Sequence, residues 1–164
     1  MAGIPLRSKN RKEDDPIILA GGHAAYNPEP MAAFIDVFAI GEGEEVIQDI
    51  VGCIRESKEA GLSRLDTLKA LQRIEGIYIP AFYQPKYNPD GTLAGMEPLS
   101  EEYPRRIRKR LCARLPDPPT HIIVPSIDVV HNRVAIEIMR GCTRGCRFCH
   151  AGMVNRPVRE RSVE

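Results

Sequence analysis

The sequence predicts an α/β protein, and three observations carry that prediction. Two short apolar runs, "PIILAGG" (16–22) and "VFAIG" (37–41), each end in glycine. Each is followed by a segment with helical signals, and a third apolar run, "GIYIP" (76–80), comes after a further helix. Strand and helix alternating along a chain is the pattern of a parallel sheet with crossover helices.

Composition bounds the partners. The chain has 164 residues, 43% hydrophobic and 27% charged with a net charge of +1, which is globular and not wholesale disordered. So even a charge balance gives no reason to expect a nucleic-acid or membrane partner. The basic run "RRIRKR" (105–110) follows Glu101 and Glu102 and reads as a solvated or internally paired face. The N-terminal residues lack the apolar core of a secretory signal. Nothing approaches the roughly 18 apolar residues of a membrane span. The expected location is the cytoplasm, where clustered cysteines bind metal more often than they form disulfides. Cys53 and Cys112 stand alone and read as small buried hydrophobes.

Each element has its own local reason. "PIILAGG" is a buried strand whose glycines let the backbone approach a neighbour closely. In "NPEP", Asn27 is the expected N-cap, Pro28 the first helical residue, and Glu29 lies near the positive end of the dipole. That helix is short, ending with "MAAFID". "VFAIG" is a second buried strand. "EGEEVIQDIVGCIRESKEAG" (42–61) is the clearest helix: Val46, Ile47, Ile50, Val51 and Ile54 form one apolar stripe. Glutamates open it, and Gly61 supplies a left-handed stop. Ser63 caps a further helix, "RLDTLKALQRI", before the strand "GIYIP". "YQPKYNPDGTLAGMEP" (83–98) is a hairpin turning at Asn88-Pro89-Asp90-Gly91. Residues 97–126 are rich in Pro and Arg and form a connecting arm that contains the domain boundary. "RVAIEIM" (133–139) alternates as a strand and leads directly into a cysteine loop.

That loop, "RGCTRGCRFCH" (140–150), holds three of the five cysteines in a C-x3-C-x2-C spacing. Three thiolates in one short loop can wrap one face of a cubic cluster, with Gly141 and Gly145 letting the backbone bend around it. A [4Fe–4S] cluster held this way leaves one iron open to a small molecule. Zinc is the bland competitor, with Cys142, Cys146, Cys149 and His150 as a Cys3His set. Structural zinc sites, however, usually draw pairs of ligands from two separated knuckles. "CRFCH" also fits the C-x-x-C-H pattern of covalent haem attachment, but that reading leaves Cys142 unexplained. The residues favour iron–sulfur over zinc and zinc over haem.

With Phe148 just before the third cysteine and a strand before the loop, this segment resembles the signature of the radical SAM superfamily. "VAIEIMRGCTRGCRFCHAGMVNRPVRERS" is similar to the cluster segment of radical SAM proteins fused to a cobalamin-binding-like domain. The upstream stretches "AGGHAAYNPEP", "IGEGEE" and "GIYIPAFY" resemble the same fusion family. The resemblance implies that residues 1–75 are part of a Rossmann-like, cobalamin-binding-like domain. Residues 76–130 would then be the hairpin and arm, and 131–164 the first strand and cluster loop of a (β/α) barrel. It also implies that Cys142, Cys146 and Cys149 ligate a [4Fe–4S] cluster whose fourth iron is chelated by S-adenosylmethionine (SAM). Reductive cleavage of SAM would give a 5′-deoxyadenosyl radical that abstracts hydrogen from a substrate, with an electron donor as a further partner.

By the same resemblance Phe148 lies near the SAM adenine; the plain alternative is packing beneath the loop. Arg140, Arg144 and Arg147 would place positive charge around an anionic cluster, or be solvated loop arginines. His150 reads as a helix-start residue. Gly21 and Gly22 resemble the last element of the cobalamin-binding pattern. The first two elements are not in the sequence, and His23 is not the missing axial ligand. A tight strand-to-helix turn is the better reading of the pair. A barrel of this kind runs to about 250 residues, so relative to that family the chain is expected to be a piece, with little turnover alone.

Overall fold

The computed structural model describes residues 3–118, 121, 123–131 and 133–162. It is a mixed α/β structure with one three-stranded and two two-stranded sheets, and no barrel among the described residues. The chain divides into two compact units, Met1–Leu111 and Cys112–Glu164.

In the first unit, β1 (Leu19–Ala20) runs parallel to β2 (Val37–Ala39), with Leu19 opposite Val37 and Ala20 opposite Phe38. β3 (Ile77–Tyr78) lies on the other side of β2 and is antiparallel to it. The all-parallel expectation therefore fails at β3. Two helices, α1 (Gly43–Glu59) and α2 (Arg64–Leu71), separate β2 from β3. The chain makes two helical passes, where a parallel crossover makes one. β1 is also shorter than expected, and Leu19 is exposed.

Between β1 and β2 the expected short α-helix is replaced by two 3-10 turns, His23–Tyr26 and Glu29–Met31. Asn27 does not cap the second turn, whose N-cap position is Pro28 with no side-chain hydrogen bond. An uncapped segment this short cannot offset the cost of nucleating an α-helix.

α1 ends as its sequence predicts. Gly61 has φ +63°, its N–H donates to the Lys58 carbonyl at 3.1 Å, and the Leu62 N–H donates to Ser57 at 2.9 Å. That pair of bonds is a Schellman stop. The apolar stripe is narrower than expected: Val46 and Ile50 are buried, whereas Ile47 and Val51 are exposed. Ser63 caps α2, its hydroxyl accepting from the Asp66 N–H at 3.1 Å and donating to the Asp66 carboxylate at 2.6 Å. That second bond holds the Asp66 carboxyl below its ordinary pKa. After α2, Gln72 ties the helix end to β3. Its amide donates to the Ile77 carbonyl at 3.0 Å and accepts from the Ile79 N–H at 3.2 Å.

Val37, Leu71, Ile77 and Ile79 form the fully enclosed centre of the core. The hairpin β4 (Tyr83–Tyr87) and β5 (Leu93–Pro98) follows. Its turn is the predicted one: the Gly91 N–H donates to the Asn88 carbonyl at 2.9 Å, and Gly91 has φ +82°. The Phe82 and Tyr103 rings stack with centroids 4.3 Å apart, and the Tyr83 hydroxyl donates to the Pro104 carbonyl at 2.9 Å. Burial pushes the Tyr83 pKa up to about 12. The basic run is internally paired where it meets α1: Arg110 lies 3.0 Å from both Glu45 and Asp49.

A buried charge network, not foreseen from the sequence, holds the N-terminal residues onto the sheet. Asp36 accepts from Arg11 at 2.7 Å, from Arg64 at 3.0 Å and from the Ile18 N–H at 2.7 Å. The Arg11 and Asp36 side chains are only 3% and 4% exposed.

In the second unit, β6 (Met139–Arg140) pairs antiparallel with β7 (Arg159–Glu160), and α3 (Ala151–Val154) lies between them. The strand expected over 133–139 is thus confined to its last residue and Arg140. Val134, Ile136 and Ile138 alternate as predicted but are exposed. Extended backbone without a neighbouring strand has no ladder to join. No helix among the described residues is long and apolar enough to cross a membrane.

Candidate metal centre

β6 delivers the chain into the cysteine loop, and Gly141 fixes the entry angle. Its φ is +82°, and a Cβ there would lie 2.7 Å from the Asn155 carbonyl oxygen and 2.6 Å from that of Pro157. Only glycine permits both the left-handed backbone and that approach. The loop then runs to α3, whose N-cap position is His150; the N–H groups of Met153 and Val154 donate to its carbonyl. His150 therefore stands at a helix start, as its sequence position suggested.

Cys142 and Cys149 are half-buried and Cys146 is exposed. The Cys142 Sγ accepts from the Arg144 N–H at 3.3 Å, and the Cys149 Sγ accepts from the Gly152 N–H at 3.2 Å. Amide donors to the sulfurs are among the features that tune a cluster held by such cysteines. The Cys146 carbonyl accepts from the Cys149 N–H at 3.1 Å, closing the C-x2-C turn.

Two residues that sequence reasoning missed shape this loop. Gly152 is buried, and a Cβ there would stand 3.2 Å from the Cys149 Sγ and 3.7 Å from the Cys142 Cβ. Its lack of a side chain leaves room for the Cys149 sulfur. Arg156 straps the loop from the other side. Its Nε donates to the Cys142 carbonyl at 3.2 Å and its Nη2 to the Arg144 carbonyl at 3.0 Å. Those bonds fix the two residues around the amide aimed at the Cys142 sulfur. The signals were a glycine three residues after the last cysteine and an arginine seven after it. Neither belongs to a short motif.

The arginines near the loop do different things. Arg140 is engaged by Glu137, at 2.6 Å, which Arg161 also contacts at 2.5 Å. The Arg140 hydrogen bond, aided by Arg161, holds the Glu137 carboxyl below its ordinary pKa. Arg144 serves through its backbone. Phe148 is 90% exposed, so among the described residues it does not pack beneath the loop.

The donor set fits thiolate coordination of a soft metal or an iron–sulfur cluster. Two of its three sulfurs are already served by backbone N–H groups. The three are not gathered, however: among the described residues no three His, Cys, Asp or Glu side chains converge as a metal-holding group. Gly21 and Gly22 lie in the first unit. Gly22 has φ +86° and leads into the His23–Tyr26 turn, while Gly21 sits against Ala39. The tight turn expected of the pair is present.

Fold and loop together describe a mixed α/β protein carrying a thiol-rich loop at the end of a strand. Residues 1–80 match the family model described as radical SAM proteins, N-terminal, and this match supports a radical SAM protein. No curated protein and no solved structure matches the chain. The matched residues do not include the cysteine loop.

Proposed function

We propose that the chain is part of a radical SAM enzyme in which Cys142, Cys146 and Cys149 ligate a [4Fe–4S] cluster. The observation that carries this reading is the C-x3-C-x2-C loop at the end of β6, in a chain whose first 80 residues match the radical SAM N-terminal model. A cluster held by these three cysteines would supply one-electron reductive cleavage of SAM, giving methionine and a 5′-deoxyadenosyl radical. The chain's own residues prepare that site. Cys142 and Cys149 stand over Gly152 with amide donors on their sulfurs, and Arg156 fixes the loop carbonyls. Cys146, exposed in the loop, would be the third ligand. The exposed Phe148 ring is available to an adenine.

The same proposal takes 131–164 as the beginning of the catalytic domain, 76–130 as hairpin and arm, and 1–75 as its Rossmann-like companion. The parallel β1–β2 pair with Gly22 at its end supports that last assignment. Cobalamin is not part of the proposal, because the Gly21–Gly22 turn explains that pair without it. The substrate that yields hydrogen and the donor of the electron are further partners of the whole enzyme.

Anaerobic reconstitution of the chain with iron and sulfide, followed by EPR of the reduced sample, tests this. A [4Fe–4S] signal that changes on adding SAM is expected, and Cys146→Ala should abolish assembly. Stoichiometric zinc with no cluster signal would instead make the loop a non-catalytic metal-binding module.

A further inference from the structure

The first unit contains a cleft of about 560 Å³ that the cysteine chemistry does not use. Its size is that of a small-molecule site, and its lining is divided. Ile35, Leu65, Leu68 and Met96 supply an apolar wall. Arg7 and Lys9 are exposed side chains that also line it, and among the described residues neither has a carboxylate partner. The buried network of Arg11, Asp36 and Arg64 forms a further part of the lining.

Charge decides what such a cleft accepts. Two guanidinium groups share one carboxylate at Asp36. The other acceptors on Arg11 are the neutral carbonyls of Pro5, Leu6 and Phe34. Those on Arg64 are the carbonyls of Asp15 and Pro16. One positive charge is therefore left without a counter-charge in that network, a costly arrangement for buried groups. Two more carboxylates line the cleft, and both are engaged: Glu29 accepts from the Tyr78 hydroxyl and Glu13 from the Arg64 backbone N–H. Counting the whole lining, four cations face three carboxylates. An excess of one positive charge beside an apolar wall matches an amphipathic monoanion better than a neutral apolar molecule or a divalent phosphate.

We propose that this cleft binds a small amphipathic carboxylate. Arg7 and Lys9 take the carboxylate, and the hydrocarbon part lies against Ile35, Leu65, Leu68 and Met96. The site is independent of the radical SAM reading and stands or falls apart from it.

The test is isothermal titration of the full chain with octanoate, octanol and inorganic phosphate in parallel. Octanoate is expected to saturate one site per chain, with octanol and phosphate weaker by about tenfold or more, since each lacks one half of the recognition. The double variant Arg7→Glu/Lys9→Glu should lose about tenfold in octanoate affinity while keeping its circular dichroism spectrum, because both side chains are exposed. Absence of saturable octanoate binding overturns the proposal. So does octanol or phosphate binding equal to that of octanoate, or an unchanged affinity in a folded double variant.

Discussion

At Asp36 one carboxylate meets two guanidinium groups and a backbone N–H with almost no solvent in contact. Removing one partner of a buried ion pair leaves charge uncompensated, which costs more than the pair itself contributes. Asp36→Asn keeps the size and one acceptor oxygen but leaves Arg11 and Arg64 as two buried cations. It should lower the stability of the first unit by about 3 kcal/mol, read as a fall in the urea midpoint with an unchanged slope. A loss below about 1 kcal/mol would mean that water screens the pair as it does an exposed one. In the sequence Asp36 was only the last residue of a predicted helix. Its partners lie 25 and 28 positions away, and no local pattern joins them. The cysteines are the opposite case. Their chemistry is written in eight consecutive positions, so the candidate ligands were legible at once, whereas Gly152 and Arg156 act only through the fold of the loop.

Among the elements, those with strong local signals were legible. α1 carries its Gly61 stop in the sequence and α2 its Ser63 cap, and Asn88-Pro89-Asp90-Gly91 fixes the hairpin turn. Sheet direction was not legible in the same way, because β3 depends on what two intervening helices do to the path of the chain. The segment 133–139 failed for a related reason: alternation says which residues share a face, not whether a partner strand is present. Where that segment does pair, at β6, the salt bridges of Glu137 to Arg140 and Arg161 fasten it to the β7 end of the chain, as does the Arg161 N–H donating to Ile138 at 2.9 Å. Because the folded Glu137 pKa is lowered, its contribution is present above the ordinary carboxylate range and is lost as pH falls through the folded value. Opening of the β6–β7 pair should therefore become more frequent on acidification from about pH 6 to about pH 3, and Glu137→Gln should remove that dependence. Hydrogen exchange at the Arg161 amide, corrected for its intrinsic pH dependence, reports it. Equal protection at both pH values in the unmodified chain would count against the ion pairs as the fastening.

Across the whole molecule, the two kinds of information about function sit in different units. The family match spans 1–80 in the first, and the cysteine loop, 140–150, belongs to the second. The first unit also holds the enclosed core of Val37, Leu71, Ile77 and Ile79, the Asp36 network and the stacked pair Phe82 and Tyr103. Every partner named for those groups lies at or before residue 111. About 110 residues with one contiguous core is within the ordinary size of an independent domain. A fragment of residues 1–111 should thus unfold cooperatively by itself. Asp36→Asn should cost it the same free energy as in the full chain, within the roughly 0.5 kcal/mol to which independent sites add. Urea unfolding followed by near-ultraviolet circular dichroism of the tyrosines measures both quantities. A fragment without a cooperative transition would mean that residues after 111 take part in stabilising this core. A cooperative fragment with a much smaller Asp36 effect would place part of that network's stabilisation beyond the residues that touch it.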